Sequence, residues 1–267
     1  MEPKQSDAAW AELITGLKAS LPDELPVYPA PAPSAINRTV DHTQLALTAT
    51  EQQIDELCAE ALEHKFATVC VRLNHVEQAV QKLRADPDVT VACVVGFHEG
   101  MYETAEKERE AREAVRLGAA ELDMVLKYPL LKEGRFLEVY QDIVGVRNAA
   151  PPPTTLKVIL ETSQLTRDEI IAGSAIASIA GADFIKTSTG FNGPGASADN
   201  VALMRAVAEL VGKGSRVKAS GGVRSLEAGI QMAQAGAERI GTSSGVKIMQ
   251  EARGGASQES NTKGEGY

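Results

Sequence analysis

The sequence predicts a closed parallel (β/α)8 barrel, a TIM barrel, for three reasons. Eight short β-branched runs recur along the 267-residue chain. The intervals between them carry apolar residues at helical spacing, several closed by a glycine such as Gly118, Gly181 or Gly236. No G-x-G-x-x-G follows the first run, which argues against the rival open doubly wound sheet. The length suits one large domain of this kind.

Taken in order, residues 8–17 have the spacing of a short amphipathic helix. Pro22, Pro26, Pro29, Pro31 and Pro33 follow, too many for a helix or a central strand. Residues 1–35 are therefore expected to be an extension, packed on the main domain or loosely tethered to it. The strands are expected at 36–41, 67–72, 89–96, 121–126, 156–161, 183–187, 216–220 and 239–242, with helices such as 51–65, 105–117 and 167–180 between them. The barrel then occupies 36–253. The segment 254–267 is rich in glycine, serine and polar residues and reads as a flexible C-terminal tail.

Hydrophobic residues make up 43% of the chain and charged residues 24%, ordinary for a globular domain with a sizeable core. A net charge of −9 argues against nucleic acid as a partner, because phosphate neutralisation needs clustered Lys and Arg. No run reaches membrane-spanning length and the acidic N-terminus has no signal-peptide core, so a cytoplasmic protein without membrane contact is expected. Cys58, Cys70 and Cys93 lack C-x-x-C spacing and are odd in number, which predicts buried free thiols in a reducing compartment. His42, His64, His75 and His98 show no H-x-H or H-E-x-x-H spacing, so no metal site is expected. His64 and His75 read as surface or helix-end residues, and His98 as a loop residue.

The chemistry gathers in two motifs. Lys186 ends the apolar run Asp183-Phe184-Ile185-Lys186 ahead of Thr187-Ser188-Thr189-Gly190, and Lys218 holds a similar place before Ala219-Ser220-Gly221-Gly222. Ammonium groups are costly to desolvate, so lysines on buried-looking strands suggest a site in which one cation makes the other a nucleophile. A free lysine titrates near about 10.4, and a neutral amine at pH 7 needs a depression of about three units, or about 4 kcal/mol. A second ammonium about 6 Å away supplies roughly 3 kcal/mol at an effective dielectric of about 20, and desolvation covers the remainder. Asp41, Asp123, Lys186 and Lys218 are expected at the C-terminal ends of four strands, where barrels carry their active sites. In Glu121-Leu122-Asp123-Met124-Val125 the period of two puts Glu121, Asp123 and Val125 on one face. An ion pair inside the barrel with no chemistry is the plain alternative. Thr189-Gly190, Gly221-Gly222 and Gly241-Thr242-Ser243-Ser244-Gly245 follow the last three strands and read as an anion cradle, or more simply as tight βα turns.

These motifs, together with Val40-Asp41-His42-Thr43, Ala67-Thr68-Val69-Cys70-Val71, Val94-Val95-Gly96-Phe97 and Leu156-Lys157-Val158-Ile159-Leu160-Glu161-Thr162, resemble those of the deoxyribose-phosphate aldolases, class I aldolases, over residues 37–250. The resemblance implies reversible cleavage of 2-deoxy-D-ribose 5-phosphate to D-glyceraldehyde 3-phosphate and acetaldehyde. Lys186 would be the Schiff-base nucleophile and Lys218 its electrostatic partner, while Asp123 with Lys218 relays protons through water. Gly190, Gly221, Gly222, Ser243 and Ser244 would hold the phosphate, and Asp41 and Thr43 match polar first-strand positions that bind substrate. No metal or other cofactor is implied, because the iminium withdraws electrons as a bound cation would. Some members of the family end in a tyrosine that reaches the active site, which implies proton transfer by Tyr267; a disordered end that finishes in tyrosine is the alternative. The chain departs from many relatives in having His98-Glu99 after Gly-Phe, and Phe191 where some carry a lysine near the phosphate. A dimer or tetramer is compatible with the chain. The competing readings are a non-catalytic phosphate-binding barrel and another class I sugar-phosphate aldolase.

Overall fold

Each β-branched run pairs on both sides with a parallel neighbour, and the sheet closes. The strands are β1 Val40–Thr43, β2 Thr68–Val71, β3 Thr90–Val95, β4 Glu121–Val125, β5 Thr155–Ile159, β6 Phe184–Lys186, β7 Arg216–Ser220 and β8 Arg239–Thr242. They follow one another in sequence order around the barrel. The computed structural model describes residues 1–254. The helices are α1 Asp7–Ser20, α2 Glu51–His64, α3 Val76–Leu83, α4 Thr104–Arg116, α5 Tyr128–Lys132, α6 Phe136–Ala149, α7 Arg167–Ile179, α8 Ala198–Val211, α9 Leu226–Gln234 and α10 Gly245–Ala252. Capping boxes start α2 (Thr50 with Gln53) and α7 (Thr166 with Glu169), satisfying backbone N–H groups that the helix itself leaves free. No helix among the described residues is long and apolar enough to cross a membrane.

The first strand departs from expectation. Residues 36–39 do not extend; Pro33–Thr39 form a 3-10 helix and the strand begins at Val40. The reason is a lack of partners, since β8 begins at Arg239 and Val40 already pairs with Ile240. Local bonds take over: Thr39 donates to the carbonyl of Ile36, and the Asn37 amide donates to the carbonyls of His64 and Lys65. The fifth strand also stops before 161, because Glu161 adopts a left-handed conformation at φ 61°. His64 and His75 end helical turns as expected, but both are buried rather than at the surface.

The period of two divides the strands between two cores. Outward residues such as Val69, Val71, Val91, Leu122, Met124, Leu156, Val158, Ile185 and Val217 form the layer between sheet and helices. Inward residues Cys70, Ala92, Val94, Val125 and Ile159, with Leu45 and Phe97, form a smaller apolar cluster that covers only one side of the barrel interior. The three cysteines are free and buried. Burial pushes the Cys58 thiol up to about 12 and the Cys70 thiol up to about 11.

Of the two states expected for the N-terminal extension, the packed one is seen. Trp10, Ile14 and Leu17 recur at helical spacing on α1 and are buried against α6, α7 and α8. Trp10 lies 5.4 Å from the Tyr140 ring, and the Asp7 carboxylate accepts from the Leu137 N–H at the start of α6. After the prolines, the Tyr28 N–H donates to the carbonyl of Gln234 and its hydroxyl to Glu209. Trp10→Ala is expected to lower unfolding free energy by about 3–5 kcal/mol in chemical denaturation; a loss under about 0.5 kcal/mol would show that α1 is only tethered.

Candidate active site

Barrel interiors are ordinarily filled by layers of Val, Ile and Leu. Here the interior beside the apolar cluster is filled by charge, which begins two residues before Val125 and Ile159 on β4 and β5. Glu121, at the start of β4, holds Lys157 at 2.5 Å and Arg239 at 3.2 Å. Two residues further on, Asp123 takes Lys157 on one oxygen at 2.7 Å, and on the other Lys186 at 2.8 Å and Lys218 at 2.7 Å. From β1, Asp41 faces Lys218 at 2.5 Å, Arg239 at 2.6 Å and Lys157 at 3.7 Å. The register explains the meeting: Asp123 pairs with Lys157, Lys186 with Lys218, and Lys218 with Arg239, so each pair sits side by side on adjacent strands. Asp41, Asp123, Lys157, Lys186 and Lys218 have no accessible surface.

Only Lys186 stands at the last position of its strand. Asp41, Asp123 and Lys218 lie within theirs rather than at the ends, because β1, β4 and β7 each run on for two more residues. The pairing of two bare ammonium groups is corrected as well. One oxygen of Asp123 is shared by Lys186 and Lys218, so a carboxylate offsets much of their repulsion. Burying this many ions is no gain over a hydrocarbon core, since well-packed apolar residues of similar volume do as well or better. The ions therefore point to chemistry. The column contains four cations, Lys157, Lys186, Lys218 and Arg239, against three carboxylates, Asp41, Glu121 and Asp123. They are unequally shared. Within 3.7 Å, Lys157 meets three carboxylates, Lys218 two and Lys186 one.

Burial raises the pKa of Asp41, but Lys218, Arg239 and Lys157 outweigh it, and the carboxyl is held below the usual range. Asp123 is held well below for the same reason: burial opposes, and Lys157, Lys186 and Lys218 prevail. Burial lowers and the carboxylates Asp123, Glu121 and Asp41 raise the pKa of Lys157, with a net rise that keeps it a cation.

Above the column, the turns after β6, β7 and β8 lie side by side. Gly190, Gly221 and Gly222 have φ of 88°, 82° and 79°, a region that penalises any side chain. The loop after β6 returns against the β7 turn so closely that a Cβ on Gly195 would lie 2.0 Å from the carbonyl oxygen of Gly221. The Ser244 N–H donates to Thr242 Oγ1, and α10 begins at the next residue. Ser188, between Lys186 and Gly190, has a buried hydroxyl with no partner among the described residues. Thr43 is buried and donates to the carbonyl of Asp41. Across the mouth, Phe191 packs edge-on to Phe97 at 5.3 Å and stacks on His98 at 4.9 Å. Among the described residues no group of three or more His, Cys, Asp or Glu is arranged to hold a metal ion.

Lys186, Asp123, Lys218 and Asp41 are thus brought together; Gly190, Gly221, Gly222, Ser243 and Ser244 belong to the adjoining turns. Tyr267 lies outside the described residues. Sequence reasoning missed Lys157, Arg239 and the part played by Glu121. The signal was present in Leu156-Lys157-Val158-Ile159, a lysine between apolar residues on a strand, as at Lys218. Burial of a lysine is not by itself enough: Lys107 is also fully buried, but outside the sheet, where it bonds Asp142 and the carbonyl of Val125.

Residues 35–251 match the model of the DeoC/LacD family aldolases. A deoxyribose-phosphate aldolase of Coccidioides immitis (strain RS) is 57% identical over 251 residues, covering 93% of this chain and 93% of the relative. Deoxyribose-phosphate aldolase 2 of Staphylococcus aureus (strain N315) is 48% identical over 213 residues, covering 80% of this chain and 94% of its own. A crystal structure of a candidate deoxyribose-phosphate aldolase from Coccidioides immitis superposes with a TM-score of 0.91 at 55% identity, covering 94% of this chain and 99% of that one.

The ion column carries an acid signature. A carboxylate whose pKa is depressed on folding contributes stability that is complete above its unfolded value, about 3.9, and lost as pH falls towards the folded value. Asp41 is depressed in this way. Below about pH 4 the parent is expected to lose stability about 1.4 kcal/mol per pH unit more steeply than Asp41→Asn, measured by denaturant titration at a series of pH values. Equal slopes would mean that the Asp41 pairs do not form.

Proposed function

The chain belongs to the DeoC/LacD family of aldolases and is a lyase with deoxyribose-phosphate aldolase activity, and we propose that the unequal sharing of carboxylates in the barrel selects Lys186 as its covalent nucleophile. A Schiff base forms only from a free amine. Of the three lysines in the column, Lys186 is the one with a single carboxylate partner, and it stands nearest the mouth at the end of β6. Lys157 and Lys218 are each tied to at least two. That difference is the observation that carries the assignment.

The reaction follows from the arrangement. Lys186 Nζ adds to the aldehyde carbon of open-chain 2-deoxyribose 5-phosphate, and loss of water leaves an iminium. The bond between the second and third carbons then breaks. Its electron pair moves towards the iminium nitrogen to give an enamine, and the third-carbon hydroxyl surrenders its proton and becomes the aldehyde of glyceraldehyde 3-phosphate. Asp123 and Lys218, which share a 2.7 Å contact beside Lys186, take that proton through water and return one to the enamine carbon. Hydrolysis frees acetaldehyde and Lys186. Asp41 holds Lys218 in place from the other side. The turns carrying Gly190, Gly221, Gly222, Ser243 and Ser244 receive the phosphate, and Thr43 contacts the substrate from β1. The apolar face of Cys70, Val94, Val125 and Ile159 leaves the acetaldehyde methyl with no polar group to desolvate. Tyr267 assists the proton transfer at carbon. Buried free thiols suit a reducing compartment such as the cytoplasm.

Turnover of 2-deoxyribose 5-phosphate, compared with unphosphorylated deoxyribose and with larger sugar phosphates, tests the substrate assignment. The phosphorylated pentose is expected to have the highest kcat/KM, and preference for a larger sugar phosphate would contradict it. Lys186→Leu is expected to leave no turnover above background. Asp123→Asn is expected to lower kcat by about 10²–10⁴ with KM little changed; a change in KM alone would make Asp123 a binding group only.

A further inference from the structure

We propose that Glu161 is a positioning residue for the phosphate end of the substrate, acting through Thr189 to set the place of Gly190. The proposal rests on the reading above in which the Gly190 turn receives the phosphate. Glu161 lies two residues beyond the end of β5, at φ 61° and ψ 60°, a left-handed conformation that is costly for any residue with a side chain. Its side chain is 1% exposed. The carboxylate accepts from the Thr189 N–H at 3.2 Å, from the Thr189 hydroxyl in a short hydrogen bond, and from the Asn192 amide at 3.1 Å. Every one of these donors is neutral, and among the described residues Glu161 forms no ion pair.

A buried carboxylate without a cation, on a strained backbone, is an expensive way to hold a loop. Strain of this kind gathers where geometry matters to function. What the carboxylate holds is specific. Thr189 Oγ1, fixed by Glu161, also accepts from the Phe191 N–H at 3.1 Å, so one hydroxyl clamps the residues on both sides of Gly190. Asn192 extends the clamp: its amide also donates to the carbonyl of His98, and its carbonyl accepts from Ser163 and Gln164 in the turn after β5. Glu161 thus joins the loops after β3, β5 and β6, and the glycine at their meeting point has no side chain of its own to fix it.

The test compares kinetics with deoxyribose 5-phosphate and unphosphorylated deoxyribose. Glu161→Gln keeps the shape but replaces one acceptor by a donor, and Thr189→Val removes the clamping hydroxyl. Each is expected to raise KM for the phosphorylated sugar about tenfold, with kcat within about twofold and kcat/KM for the unphosphorylated sugar unchanged. The double variant is expected to lose less than the two single losses combined, because both variants disturb the Glu161–Thr189 contact. Equal losses with both sugars, or no loss with either, would overturn the proposal; Thr189→Val carries the same test if Glu161→Gln does not fold. Glu161→Gly relieves the backbone but removes the carboxylate, so retention of full phosphate preference in that variant would also overturn it. Ser243→Glu in the parent separates the two readings. It sets a negative charge in the adjoining turn and is expected to abolish phosphate preference. If it leaves that preference intact while Glu161→Gln weakens it, the placement of the phosphate is wrong rather than the role of Glu161.

Discussion

The Asp123 carboxylate, held between Lys157 on one oxygen and Lys186 with Lys218 on the other, is the interaction on which the rest of this structure depends. It stands where a barrel usually has a branched aliphatic side chain. Three ammonium groups become tolerable in a buried interior only because such a carboxylate is shared among them, and truncating one partner of a buried pair costs about 3–5 kcal/mol. Asp41 and Glu121 complete the arrangement, and Arg239 ties the two together. The fold supplies these positions through register alone: parallel strands place paired residues about 4.8 Å apart and aim alternate ones at the axis.

Two parts of the interior do different work. One is apolar, built from Cys70, Val94, Val125 and Ile159; the other is the charge column. A small aldehyde with one polar end and one methyl group matches that division, and the glycine turns after β6, β7 and β8 extend the polar part outwards to where an anion can sit. The outer layer and the N-terminal helix, anchored by Trp10, carry ordinary hydrophobic packing and hold the strands in place.

Much of this was legible in the chain. Alternation of β-branched and helix-period segments predicts the closed sheet, and the period of two places Asp123 inward. Lys186 and Lys218 are visible because each precedes a run of small residues and glycine. Lys157 has no such mark, because Val158, Ile159, Leu160 and Glu161 follow it instead of a turn, and its role depends on register with Asp123, which no local pattern encodes. Arg239 reads as a strand-start surface residue until the barrel closes and brings it to Asp41, a contact between residues far apart in sequence. The apolar Ile36 extends the expected first strand too far towards the N-terminus, yet its burial comes from a 3-10 turn that β8 does not reach. Glu161 could not be recognised from sequence at all, since a left-handed glutamate has no compositional mark.

The most direct measurement of the central claim is the location of the covalent adduct. The protein is incubated with acetaldehyde, reduced with borohydride, digested and mapped by mass spectrometry. If unequal sharing of carboxylates selects the nucleophile, a single ethyl group is found on Lys186, with Lys157 and Lys218 unmodified. An ethyl group on Lys157 or Lys218, or no adduct on any of the three, would contradict the account.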